Sequence, residues 1–310
     1  MIAKLKPVFK DYLWGGKRLV EEYQKDFQGE ILAESWELSC HPDGECQIDS
    51  GTHKGTRLVE YLETHPEVLG TNCMRYDTFP ILIKLIDAKQ NLSIQVHPDD
   101  NYAKEYEGDN GKNEMWYIVD ATEEAFIYFG FNQEISKTEY EKRIAENQLL
   151  EVLNKVKVEK GDCFFIKAGT VHAIGAGCLI AEVQQSSNVT YRVYDFGRRD
   201  MNGNLRELHI DKAVEVSILE PSVNTANTTN KLVESKYFTV EELNITSSRN
   251  FIADHASFQS LLILSGSGTL HYNGEVIALE KANSIFIGAN SGTYTVEGDF
   301  KALLTYIDNN

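Results

Sequence analysis

The chain has 310 residues, room for two domains at the usual ~150 residues each, and 42% of them are hydrophobic, enough for a buried core. Its 47 acidic side chains against 30 basic ones leave a net charge of −17. That balance argues against a nucleic-acid or anionic-membrane face, and an anionic ligand would need its own pocket of Lys and Arg. No apolar run reaches the ~20 residues that cross a bilayer, and the opening MIAKLKP lacks the apolar stretch of a signal peptide. Five cysteines, at 40, 46, 73, 163 and 178, include no Cys-x-x-Cys pair. They fit reduced thiols, and the expected location is cytoplasmic. Cys40, His41 and Cys46 are not read as a metal cluster.

In chain order, a helix is expected over 57–69, followed by short β-branched or aromatic runs at 80–88, 92–97, 115–119 and 125–131. Ser136 and Glu139 form a capping box ahead of Tyr140 and Ile144, which predicts a helix there. Strands follow at 163–166 and 178–184, then a helix over 207–219 with Leu208, Ala213, Val214 and Ile218 along one stripe. Many strands with a few helices beside them predict a mainly β fold built from jelly-roll or β-barrel domains. Residues 221–231 (PSVNTANTTNK) read as a linker. The expected division is therefore a catalytic domain at 1–220 and a smaller β domain at 232–310. The second resembles a degenerate copy of the first: residues 161–172 overlay 282–293, placing His172 on Thr293, and Glu114 overlays Gln259.

Strand alternation at LSIQVH (92–97) separates Leu92, Ile94 and Val96 from Ser93, Gln95 and His97. An apolar outer face and a polar inner one suit a barrel with a wet interior. Glu114 opens an otherwise apolar strand, and His172 stands where a small-residue turn enters another. Two imidazoles, a carboxylate and the Gln95 amide match a mononuclear site for Zn²⁺, one per chain, or for a similar divalent ion. His41, His53, His65, His209, His255 and His271 lack partners at suggestive spacing. Downstream, Glu182 alternates inward, and Arg192, Arg198 and Arg199 gather in a region suited to capturing phosphate.

These segments together, SIQVHPDD (93–100), GKNEMWYI (111–118), GDCFFIKAGTVHAIG (161–175) and NVTYRVYDFGR (188–198), resemble type I mannose-6-phosphate isomerase, in particular its short bacterial form, within the cupin superfamily. YLWGG (12–16) and AESWELS (33–39) are similar to that family's opening motifs. The resemblance implies two cupin-like domains and a metal-dependent interconversion of mannose 6-phosphate and fructose 6-phosphate. It places zinc ligands on Gln95, His97, Glu114 and His172, the essential arginine on Arg192 and a lysine on Lys112. Where long relatives carry a histidine before that lysine this chain has Gly111, and where they carry an aspartate it has Asn188.

Aldose–ketose isomerisation by the enediol route needs a base for the C2 proton and positive charge beside the carbonyl oxygen. Lys112 and Glu182 are the candidate bases, and Arg192 is the candidate for holding developing negative charge. Ser93, Arg198 and Lys84 are candidate substrate contacts. The expected partner is a sugar phosphate, with no nucleic acid and no membrane, for a monomer or homodimer. Alternatives are another metal cupin (a different sugar isomerase or a dioxygenase) or a non-catalytic sugar-phosphate-binding cupin.

Overall fold

The computed structural model describes residues 1–199, 203–227 and 229–309. The chain forms two compact units: a central one of residues 12–16 and 86–225, and a terminal one of residues 1–11, 17–85 and 226 onward. Strands dominate both, and among the described residues no helix is long and apolar enough to cross a membrane.

The central unit contains two antiparallel ladders. One runs Leu153–Lys157, Phe126–Phe131, His172–Ile174, Ile94–Val96, Tyr191–Tyr194. The other runs Cys163–Ile166, Glu114–Ala121, Cys178–Gln185 and then the end of Ile81–Ala88. His172 on the first ladder comes within 3.7 Å of Glu114 on the second, so their polar faces look at each other. The predicted alternation in 92–97 is realised: Ile94 and Val96 are fully buried on the opposite face with Tyr128, Val171, Tyr191 and Val193. Helices Lys137–Ala145 and Ile210–Val216 cover that face through Tyr140, Ile144, Ala213 and Val214. Burial of Ile144 or Val214 is worth roughly 1.5–3 kcal/mol each, so the helices keep this face covered while the opposite face stays polar.

Ser136 caps the first of these helices as predicted, accepting the Glu139 N–H at 3.1 Å. Glu139 turns instead to Arg143, at 2.7 Å, so only half of the capping box forms. The expected 57–69 helix is α only over Leu58–Thr64; Pro66 opens a separate 3₁₀ turn, Pro66–Leu69, because its ring cannot continue the α ladder. The 207–219 helix shortens to Ile210–Val216, and Leu208 and Ile218 fall outside it and are exposed. Helix Asp100–Tyr106 was not anticipated: Asp99 caps it by accepting the Tyr102 N–H at 2.9 Å. Tyr12–Gly16 closes on the same unit, where a Cβ at Gly16 would collide with the Asp87 carboxylate.

The unit division does not keep residues 1–220 together, although its cut at 225/226 falls within the expected 221–231 linker. In the terminal unit the order is Lys231–Glu234, Thr239–Ile245, Gly292–Tyr306, Gln259–Tyr272, Ser284–Ile287, Ile2–Lys6, Gln47–Ile48. Ile2–Lys6 thus pairs with Ser284–Ile287, Ile2 opposite Ile287, and binds the N-terminal segment to the C-terminal block. A buried ion pair reinforces this: Lys25 Nζ lies 2.7 Å from Glu37 Oε1 and donates to the Ala282 carbonyl at 2.8 Å. Nor is the expected linker loose. Asn224 pairs with edge strand Cys163–Ile166 in both directions, accepting from Phe165 N at 3.2 Å and donating to Cys163 O at 2.8 Å. Residue 228 of that segment lies outside the described residues.

The suspected duplication is visible in the ladders. Ile166 pairs with Glu114 and Ile287 with Gln259; Gly161 N bonds Ile118 O and Ala282 N bonds Ile263 O. Past the next turn the overlay needs one correction. Thr293 is exposed and pairs with the exposed Ile252, whereas Tyr294 is 2% exposed and its hydroxyl donates to Gln259 Oε1 at 2.7 Å. The inward residue matching His172 is therefore Tyr294. One extra residue at Gly292, with φ +78°, shifts the alternation, because each single-residue step turns a strand side chain to the other face.

Candidate metal centre

Glu114 begins its strand, His97 directly follows Ile94–Val96, and His172 opens His172–Ile174, where it pairs with Gln95. All three are 1% exposed, and one ligand atom from each lies within 4.8 Å of the others. His97 Nε2 is 3.2 Å from Glu114 Oε1, and His172 Nε2 is 3.7 Å from Glu114 Oε2.

The far nitrogen of each imidazole is tied to main chain. His97 Nδ1 is 2.8 Å from Val189 O and His172 Nδ1 is 2.7 Å from Thr170 O. A carbonyl only accepts, so both Nδ1 atoms carry the proton and both Nε2 lone pairs point at the carboxylate. Nε2 of His172 has no hydrogen-bond partner, an orphan that a cation would satisfy. Burial, then Lys112, pushes His97 down to about 3, and burial lowers His172, so both rings are held neutral as metal ligation requires. Burial alone would raise Glu114, but the Lys112 ammonium beside it draws the carboxylate well below its usual range. Positive charge is already drawn to the spot: Lys112 Nζ sits 2.9 Å from Glu114 Oε1 and 3.3 Å from His97 Nε2. The three residues could hold a metal ion, with two neutral nitrogens and an anionic oxygen converging on one point.

Around this centre, the Trp116 indole donates to Glu182 Oε2 at 2.8 Å and to Glu114 Oε2 at 3.1 Å. Gln95 accepts from Ser93 Oγ at 3.4 Å and stands between His172 and Arg192 across the sheet. Arg192 Nη1 donates to Glu207 O at 2.9 Å, and the main-chain N–H of Arg192 donates to His209 Nδ1 at 3.2 Å. Its Nε is buried without a partner.

Two expected substrate contacts are engaged elsewhere. Arg198 donates to Asp195 and, at 2.7 Å, to Asn91 O. Asp195 is also gripped by Arg206, with Nε at 2.7 Å. Lys84 is buried in the terminal unit, 3.7 Å from Glu34 and over the Trp36 ring. The sequence reading passed over Trp116 and Arg206 and took His209 as a histidine without partners, whereas it accepts from the main chain of Arg192. Trp116 was accessible to it, since it lies two residues from Glu114 and so on the same strand face. Arg206, on Asp195, and His209, on the main chain of Arg192, come from a loop and a helix start with no periodicity to announce them.

A model of the family described as phosphomannose isomerase type I, catalytic domain, matches residues 2–129, and one described as mannose-6-phosphate isomerase, cupin domain, matches residues 228–307. Mannose-6-phosphate isomerase ManA of Bacillus subtilis is 36% identical over 97% of this chain and 98% of its own length. The chain belongs to the type I mannose-6-phosphate isomerases. The mannose-6-phosphate isomerase of Streptococcus mutans is likewise 36% identical, over 95% of this chain and 94% of its own. A crystal structure of the Bacillus subtilis mannose 6-phosphate isomerase superposes with a TM-score of 0.91 at 36% identity, covering 99% of each chain.

Proposed function

We propose that this protein interconverts mannose 6-phosphate and fructose 6-phosphate at a single divalent ion, zinc in the first instance, held by His97, Glu114, His172 and Gln95. The observation that carries the reading is the buried convergence of two neutral imidazoles and a carboxylate in a chain of this family. A bound divalent ion would supply Lewis acidity to the sugar oxygens at C1 and C2. Glu182 and Lys112 are the groups in this lining that can carry a proton between C2 and C1: Glu182 as an acceptor held by Trp116, Lys112 as a cation against Glu114. Arg192, its guanidinium held by the Glu207 carbonyl, turns that cation to the negative charge that grows on the enediolate oxygens. The protein is read as cytoplasmic, in keeping with its five free cysteines.

Bound metal is measured on the purified protein, and mannose 6-phosphate turnover is assayed before and after chelation. Turnover that disappears with the metal and returns on adding Zn²⁺ is expected. Full turnover in metal-free protein defeats the reading. Oxygen consumption with no isomerisation would move the chain to the dioxygenase class.

A further inference from the structure

We propose that Trp116 is a positioning residue, coupling the carboxylate of Glu114 to that of Glu182 through one indole N–H; the proposal rests on the reading of the site given above. Nε1 donates to Glu182 Oε2 at 2.8 Å and to Glu114 Oε2 at 3.1 Å, and the ring meets His172 edge-on at 5.3 Å between centroids. A single fully buried side chain therefore touches two of the proposed metal ligands and one of the two proposed proton carriers. Its N–H is the only hydrogen-bonding group of the indole, and the indole has no acceptor. Both contacts thus run from the one indole N–H to a carboxylate oxygen. It also fixes which oxygen of Glu114 turns toward the indole, leaving Oε1 to face His97 Nε2 and Lys112.

The terminal unit supplies an internal control. There Leu261 pairs with Leu304 as Trp116 pairs with Glu182, two residues along from Gln259 as Trp116 is from Glu114. Where the carboxylates are absent, the indole is replaced by an aliphatic side chain. A packing role alone would be served by a large apolar residue in either place. The donor coincides with the anions it bridges.

Outer partners of metal ligands typically change metal affinity by 10–100-fold when removed. Trp116→Phe keeps the ring and deletes the donor. In chelator competition this variant is expected to bind Zn²⁺ about 10–100-fold more weakly than wild type. With metal saturating, its kcat falls while KM for mannose 6-phosphate changes little. Wild-type metal affinity together with wild-type kcat in a folded Trp116→Phe protein overturns the proposal. Should that variant not fold, ¹⁵N-indole spectra of the unmodified chain serve instead. Titration with Zn²⁺ must then move one of the three tryptophan resonances, and three stationary resonances in protein shown to have bound the metal overturn it. Wild type is measured alongside: a wild type that neither binds metal nor turns over sugar phosphate refutes the functional reading, whereas an active wild type with an indifferent variant refutes only the role of Trp116.

Discussion

Two regions of this molecule share one ladder scheme and differ in what they turn inward. In the central unit, Glu114, His172, Trp116 and Glu182 face one another. In the terminal unit the corresponding positions hold Gln259, Tyr294, Leu261 and Leu304, and Phe251 stands opposite Tyr294 as Gln95 stands opposite His172. Tyr294 fills the space with an aromatic ring stacked on Phe251 at 5.5 Å and satisfies Gln259 with its hydroxyl. The neutral pair is complete in itself. The charged set is not: a buried carboxylate among neutral imidazoles costs several kcal/mol unless a cation compensates it. Here Lys112 does part of that. The same scaffold thus serves as a packed core or as a site, according to whether the inner face is self-satisfied.

The sharpest way to break this comparison is to convert one centre into the other. Glu114→Gln, which copies Gln259, is expected to abolish metal binding and turnover. It should also destabilise the metal-free protein by about 3–5 kcal/mol, since Lys112 is left buried without its counter-ion. Metal analysis, steady-state kinetics and urea unfolding check the three effects. Next in size, Arg192→Lys is expected to lower kcat about 10²–10³-fold with metal content unchanged. The strand that carries Arg192 has no counterpart among the described residues beside Arg249–Ala253, so this loss tests what the central unit has beyond its ligands.

The reciprocal change, Gln259→Glu, should leave kcat alone and cost about 1–3 kcal/mol in unfolding experiments, because a carboxylate there meets a hydroxyl rather than a cation. Tyr294→Phe should cost about 1 kcal/mol, the worth of one hydrogen bond, again with normal turnover. The smallest effect concerns pH. Burial pushes Asp195 up, but Arg206 and Arg198 outweigh it and hold the carboxyl below its usual range. A depressed folded-state value gives stability that is present above the ordinary carboxylate range and lost as pH falls through it. The stability advantage of wild type over Asp195→Asn should therefore be seen near neutrality and shrink toward acid pH in urea titrations.

Much of the site could be read along the chain because strand alternation is local. Gln95 and His97 share a face two residues apart, and their sheet's opposite face is apolar by the same rule. Ser136 and its helix were likewise visible, since capping involves neighbours three residues apart. The cap at Asp99 obeys the same rule, three residues ahead of Tyr102.

What the amino-acid order determined by itself was the set of short-range facts: which segments are strands, which of their faces is polar, and which ionisable groups stand on those faces. The tertiary structure alone decided how the sets meet. It bound Ile2–Lys6 to Ser284–Ile287, brought Arg198 to the Asn91 carbonyl, and moved the match of His172 from Thr293 to Tyr294. Each of those outcomes depends on pairing register between distant segments. Register is set by which buried faces pack together, so it becomes defined only once the chain has folded.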